Sequence, residues 1–192
     1  MSYYEILLFL HVATAIVWLG GGALLQTLVF RAERTTDPVL MKKLAESSKW
    51  LAQRFFIPSS LAVLVFGILL TIEGPWSFGD LWIVLGLGGY AASFFTGILF
   101  LEPEGKRIDA AITAHGPDSR EARHHVRRIN VVQRVELTIL FLVVVAMSLK
   151  PTGDDTGTLL LIAAVLVAAA LLGARALARP LDMPGTPQVQ AD

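Results

Sequence analysis

Five stretches of this chain are too long and too apolar to belong to a water-soluble domain. They run from about Tyr4 to Phe30, Trp50 to Ile72, Leu81 to Leu101, Val126 to Leu149 and Leu159 to Ala178. Each supplies the roughly 20 residues that cross ~30 Å of hydrocarbon at ~1.5 Å per residue. Backbone groups in lipid must bond within their own segment, so the stretches read as helices, and they lack the alternation of barrel strands. The expected fold is all-α, a polytopic membrane helix bundle with five transmembrane helices. Residues 1–180 form its single domain, and residues 181–192 read as a flexible cytoplasmic tail of Pro, Gly and Gln character. The first run begins at Tyr3 without preceding basic residues and outlasts the apolar core of a leader, so it reads as a retained span. The fifth has the length to cross and equally reads as an accessory helix beside the functional bundle.

A net charge of zero hides a strong local asymmetry. Arg31, Arg34, Lys42, Lys43 and Lys49 lie between spans one and two. Lys106, Arg107, Arg120, Arg123, Arg127 and Arg128 lie between spans three and four, and Arg175 and Arg179 end span five. The opposite side holds Lys150 beside Glu73, Asp80, Asp154 and Asp155. The positive-inside rule then predicts an external N-terminus and a cytoplasmic C-terminus in a bacterial cytoplasmic (inner) membrane. Trp76, Trp82 and Tyr4 fall at outer helix ends and Trp50 at an inner one, where amphipathic rings prefer to lie. The absence of Cys excludes disulfides, Cys-ligated iron–sulfur clusters and thiolate zinc sites.

Between the spans, Asp37 with Pro38 predicts a helix start that carries span two inward from near Val39 through Trp50. Pro58 predicts a bend or loosened turn early in that span. Asp118 or Ser119 predicts the cap of a fourth helix of roughly 30 residues that projects beyond the lipid. Its first turns bring Arg120, Arg123, His124, Arg127 and Arg128 into a basic collar. The collar reads as a set of contacts to lipid headgroup phosphates; no aromatic platform accompanies it for nucleic acid.

Few polar groups remain inside the spans. Span one carries His11, with Thr14 and Trp18 on the same face, and Gln26 deeper in. Arg54 sits one turn inside span two, and span four carries Asn130, Gln133, Arg134 and Glu136. An unpaired charge in lipid costs several kcal/mol, so these groups must face protein or water. Matching depth predicts an Arg54–Glu136 bridge within a network of Gln26, Arg54, Asn130, Gln133, Arg134 and Glu136. That network reads as interhelical glue, with proton movement or anion binding as the functional alternative. His11 reads as a hydrogen-bonded packing residue or as a ligand. With Met147 near its depth it would form a His–Met pair suited to haem b or copper. Gly20, Gly21 and Gly22 thin span one, and Gly89, Ser93 and Gly97 make a small-residue stripe on span three. Nucleotide loops, dinucleotide fingerprints, zinc-protease pairs and nucleophile elbows are absent.

The segment Glu5 to Gly22, with His11, Ala15, Trp18, Leu19, Gly20 and Gly21, resembles the opening helix of a bacterial family of predicted integral membrane proteins of unknown function. Arg128, Asn130, Gln133, Arg134 and Glu136 resemble that family's fourth span. The resemblance covers spans one to four. The family in turn distantly resembles CopD-type copper-resistance proteins and HemJ-type membrane protoporphyrinogen oxidases, and the first-span His that is the haem candidate of the latter would map onto His11. This chain lacks both an intramembrane Lys in span three and a Met/His-rich outer surface.

Two functions compete at this stage. The first is a non-enzymatic accessory or scaffolding subunit of an oligomer or larger membrane complex, whose partners are membrane lipids, copies of itself or other membrane subunits. The second is a haem- or copper-binding redox or transport protein centred on His11.

Overall fold

The fourth span organises the molecule. In the computed structural model, which describes residues 2–35, 47, 50–117 and 119–179, six helices follow one another. They are α1 (Tyr3–Thr35), α2 (Ile57–Glu73), α3 (Leu81–Thr96), α4 (Glu102–His115), α5 (Arg120–Leu149) and α6 (Thr156–Ala178). A π-helical turn, Gly97–Leu101, joins α3 to α4, and another, Ala52–Phe56, leads into α2. The described residues thus hold five helices long and apolar enough to cross a membrane. The all-α membrane bundle read from the sequence is the fold.

Ser119 starts α5 by accepting the Ala122 N–H at 3.2 Å. Lys150 stops it in the left-handed region, at φ 48°. The helix spans 30 residues, as the capping signal predicts. Asp118, the other candidate cap, lies outside the described residues, as do the expected helix start at Asp37–Pro38 and the tail 181–192.

The loosened turn expected at Pro58 takes the form of the π-helical turn Ala52–Phe56, and Pro103 stands in the same relation to Gly97–Leu101. Proline has no N–H for the carbonyl four residues back, so the turn before it widens. At the second site the Glu102 N–H reaches back five residues to the Gly97 carbonyl.

Helix α5 packs against α1, α3, α4 and α6, while α2 packs on α1. Glycines permit these approaches. Gly86 and Gly89 of α3 leave room for the Met147 and Val143 side chains of α5, and Gly173 of α6 sits against Val131 and Val135. Gly21 and Gly22 of α1 face Phe55 and Phe56. Within the predicted stripe on span three, Gly89 and Ser93 therefore serve α5, while Gly97 has open space beside it.

The α3–α4 rod and α5 run antiparallel over their whole contact. Eleven residues back along the rod from Glu104 stands Ser93, and eleven forward along α5 from His125 stands Glu136. Both pairs touch. Arg120, Arg123, Arg127 and Arg128 at the start of α5 and Arg179 after α6 thereby gather at one end of the bundle, and Tyr4, Trp76, Trp82 and Lys150 gather at the other.

Candidate functional site

At the aromatic end, the Lys150 ammonium lies 3.9 Å from the Trp76 ring centroid and 5.2 Å from that of Trp82. The two indoles meet edge-on, and Trp76 Nε1–H donates to the Tyr4 hydroxyl at 3.4 Å. Three separate segments meet in this cage, which shields the single basic residue on that side through the ring quadrupoles. The sequence carries a signal for it: a lone Lys directly after a span whose neighbouring loop is flanked by two Trp.

One step deeper, His11 Nδ1 lies 3.0 Å from the Val63 carbonyl of α2. A carbonyl only accepts, so in this contact Nδ1 is the donor, and in the neutral ring Nε2 would hold the lone pair. The ring fits because Gly67 has no Cβ; one built there would stand 3.0 Å from His11 Cε1. Met147 is turned instead to Gly86 of α3. The proposed ligand pair is therefore seated against two different helices. Among the described residues, no three His, Cys, Asp or Glu side chains gather to hold a metal ion.

In the middle of the bundle, Gln26 Nε2 donates to Gln133 Oε1 at 2.8 Å, joining α1 to α5. The Ser93 hydroxyl donates to Glu136 Oε1 at 2.5 Å, joining α3 to α5. The expected Arg54–Glu136 bridge is not formed. Phe55 and Phe56 take the positions against Gly21 and Gly22, and the Arg54 side chain is left exposed. Glu136 meanwhile is turned to α3, whereas the span carrying Arg54 packs on α1. Arg134 places its guanidinium 5.6 Å from the Phe30 ring centroid, and Asn130 is buried.

The densest polar cluster lies at the basic end, beyond the apolar part of span three. Glu104 is fully buried at 0% exposure, although it belongs to a helix dotted with charges. His125 Nδ1 stands 2.7 Å from its Oε2, and Arg107 Nη1 and Arg128 Nη1 stand 2.5 and 3.0 Å from its Oε1. Burial alone would push this carboxyl up. The hydrogen bonds from His125 and Arg107, with the Arg128 and His125 charges, outweigh it and hold the pKa below the ordinary carboxylate value. Arg128 also lies 5.3 Å over the Phe100 ring. This cluster clamps α4 onto α5.

Glu104 was not legible as a site from its surroundings in sequence. Its one signal is spacing: Glu102 and Glu104 stand two apart on a helix, so they cannot share a face. Glu102 faces water and pairs with Lys106 at 2.7 Å, which leaves Glu104 toward the bundle.

Of the four arginines expected at lipid headgroups, Arg128 is thus bound to Glu104. Arg127 donates to the Arg179 carbonyl at 2.6 Å and to the Ala176 carbonyl, capping the end of α6. Arg120 is exposed and Arg123 partly so. A cleft of about 620 Å³ opens here between α5 and α6, lined by Arg120, His124, Arg127, Arg128 and Arg179 together with Leu177.

No curated protein and no solved structure matches the chain. The family described as "Predicted integral membrane protein (DUF2269)" matches residues 5–151, which take in α1 to α5 and stop short of α6. With five membrane-length helices in the bundle and more than half of its residues matched, the chain belongs to this family of integral membrane proteins.

Proposed function

We propose that this chain is a non-enzymatic, multi-pass protein of the bacterial cytoplasmic membrane that serves as an accessory or scaffolding subunit of an oligomer or larger membrane complex. One observation carries this reading: the polar groups inside the spans close on one another. Gln26 meets Gln133, Glu136 meets Ser93, and His11 meets a backbone carbonyl. Among the described residues no buried side-chain N or O is left without a partner. A reaction or a transport route needs polar groups aimed at a space where a substrate can sit. Here they tie helix to helix, and the remaining capacity for contact lies on the outer faces. The leucines of α6 (Leu160, Leu161, Leu171 and Leu172) are among the most exposed large side chains, and α6 packs mainly on α5.

The test is crosslinking in native membranes, followed by native mass spectrometry in mild detergent. An oligomer or a co-purifying membrane subunit is expected; a strictly monomeric species in both settings overturns the reading. Its orientation, with the arginine-rich end in the cytoplasm, follows from the positive-inside rule. A Cys placed at exposed Ser77 or Thr156 should react with an impermeant reagent in intact cells, and one at exposed Thr113 should not.

The second reading, a haem- or copper-binding protein, is favoured by the contact of His11 Nδ1 with the Val63 carbonyl. An imidazole whose Nδ1–H is fixed by a carbonyl offers Nε2 as a ligand, the usual arrangement behind a metal-binding His. Met147, the other ligand of the expected pair, packs against Gly86 of α3, whereas His11 is held on α2, so this reading rests first on His11. An absorption spectrum and metal analysis of gently purified protein decide it. A Soret band or stoichiometric copper lost in His11→Ala would favour this reading over the first.

A further inference from the structure

We propose that the cleft between the N-terminal half of α5 and the end of α6 is a binding site for the phosphate headgroup of an anionic phospholipid. Its volume of about 620 Å³ lies within the range of small-molecule sites. Its lining sets four arginines, Arg120, Arg127, Arg128 and Arg179, against one carboxylate, Glu121, which itself stands 3.4 Å from His115. Guanidinium groups present paired N–H donors that match phosphate oxygens, and so many close together favour an anion among them. The walls are fixed in advance. Glu104 holds Arg128 from one side, and the carbonyls at the end of α6 hold Arg127 from the other.

Two features favour a lipid over a free anion. The first is depth. Helix α6 ends at Ala178 and Arg127 bonds the Arg179 carbonyl, so these two arginines stand where the apolar span ends and headgroup phosphates lie. The second is continuity. Along the same seam a second hollow of about 270 Å³ shares Arg127 and Arg179 and runs past Val131 and Ala176 toward the membrane-spanning part. Asn130 and Arg134 also line it, so the ester carbonyls that lie just below a headgroup phosphate would find donors there. Because α6 supplies one wall, the site draws on the helix outside the family match. It does not depend on the accessory-subunit reading.

The experiment places the full chain in nanodiscs of phosphatidylcholine doped with phosphatidylglycerol and counts retained lipids by native mass spectrometry. Phosphatidylglycerol should be retained over phosphatidylcholine. Arg120→Gln with Arg179→Gln should weaken that preference roughly 10–30-fold, while Lys106→Gln, which lies outside the cleft, should leave it unchanged. Both cleft residues have exposed side chains, so the double variant should elute and melt like the parent in phosphatidylcholine alone. If it does not, each single substitution is read instead, with a correspondingly smaller loss. Equal retention of the two lipids overturns the proposal, as does undiminished preference in the variants. Protection by inorganic phosphate in detergent that matches phosphatidylglycerol would assign the cleft to a soluble anion and also overturn it.

Discussion

Glu104 and Glu136 lie along one helix seam and are held in opposite ways. Glu136 reaches α3 inside the hydrocarbon, where the Ser93 hydroxyl meets it. Glu104 reaches α5 beyond the apolar part of the rod and draws in His125, Arg107 and Arg128. The difference follows from where each stands. Deep in the membrane every added ion costs several kcal/mol, so one neutral donor is the economical partner. At the boundary, water reaches Arg107 and Arg128 from outside, and a charge cluster can close over a buried carboxylate without stranding its cations. The ion pairs of the seam are therefore concentrated at the basic end, and in its interior the Ser93–Glu136 hydrogen bond joins the packing.

The largest effect should come from the ionic end. Glu104→Gln removes the charge that balances Arg128 and should cost about 3 kcal/mol, the low end for a buried pair because the arginines still reach water. Thermal unfolding in detergent measures it. Acid should act in the same direction. Because the folded-state pKa of Glu104 lies below the ordinary carboxylate value, its contribution is complete above that value and is lost as pH falls through the folded one. Stability of the parent should drop below about pH 4, and the part due to this residue should vanish in Glu104→Gln. A parent and variant with parallel acid profiles would locate the clamp elsewhere.

Next come the packed parts of the seam. A Cβ at Gly89 would collide with the Val143 side chain, which is short and branched and has little freedom to move. Gly89→Ala should cost about 1–3 kcal/mol by overpacking. At Gly86 the collision is with the methyl end of Met147, an unbranched chain that can swing away. Gly86→Ala should cost less than about 1 kcal/mol. Equal losses would mean that the backbones, rather than these side chains, set the helix separation.

What could be read in advance, and what could not, divides along the same line. Spans, their number, the fourth-helix cap at Ser119 and the loosened turn at Pro58 were legible because each depends on residues near one another in sequence. Pairings across helices were not. Depth can be counted along a span, but which way a side chain points depends on the packing of its neighbours. Depth alone sets Arg54 opposite Glu136, but the two phenylalanines beside it take the buried face. Gln26 and Gln133 share both depth and facing, and they meet. Glu104 lies outside the hydropathy pattern, in a segment where charges ordinarily face water. The structure buries it because α4 continues the rod along α5 instead of leaving it.

The smallest expected effect tests the membrane half of the comparison. Glu136→Gln keeps a side-chain oxygen that can accept the Ser93 hydroxyl and leaves the seam geometry intact. It should cost less than about 1 kcal/mol, well under the loss at Glu104. Ser93→Ala removes the donor, and the two substitutions should be non-additive, since both act on the same bond. Arg54→Gln combined with Glu136→Gln should instead be additive within about 0.5 kcal/mol, because Arg54 is exposed and Glu136 is turned to α3. A coupling above that level between Arg54 and Glu136 would mean that an ion pair forms across the inner bundle. The rule that charges are kept to the basic end would then fail at this position, which most directly tests it.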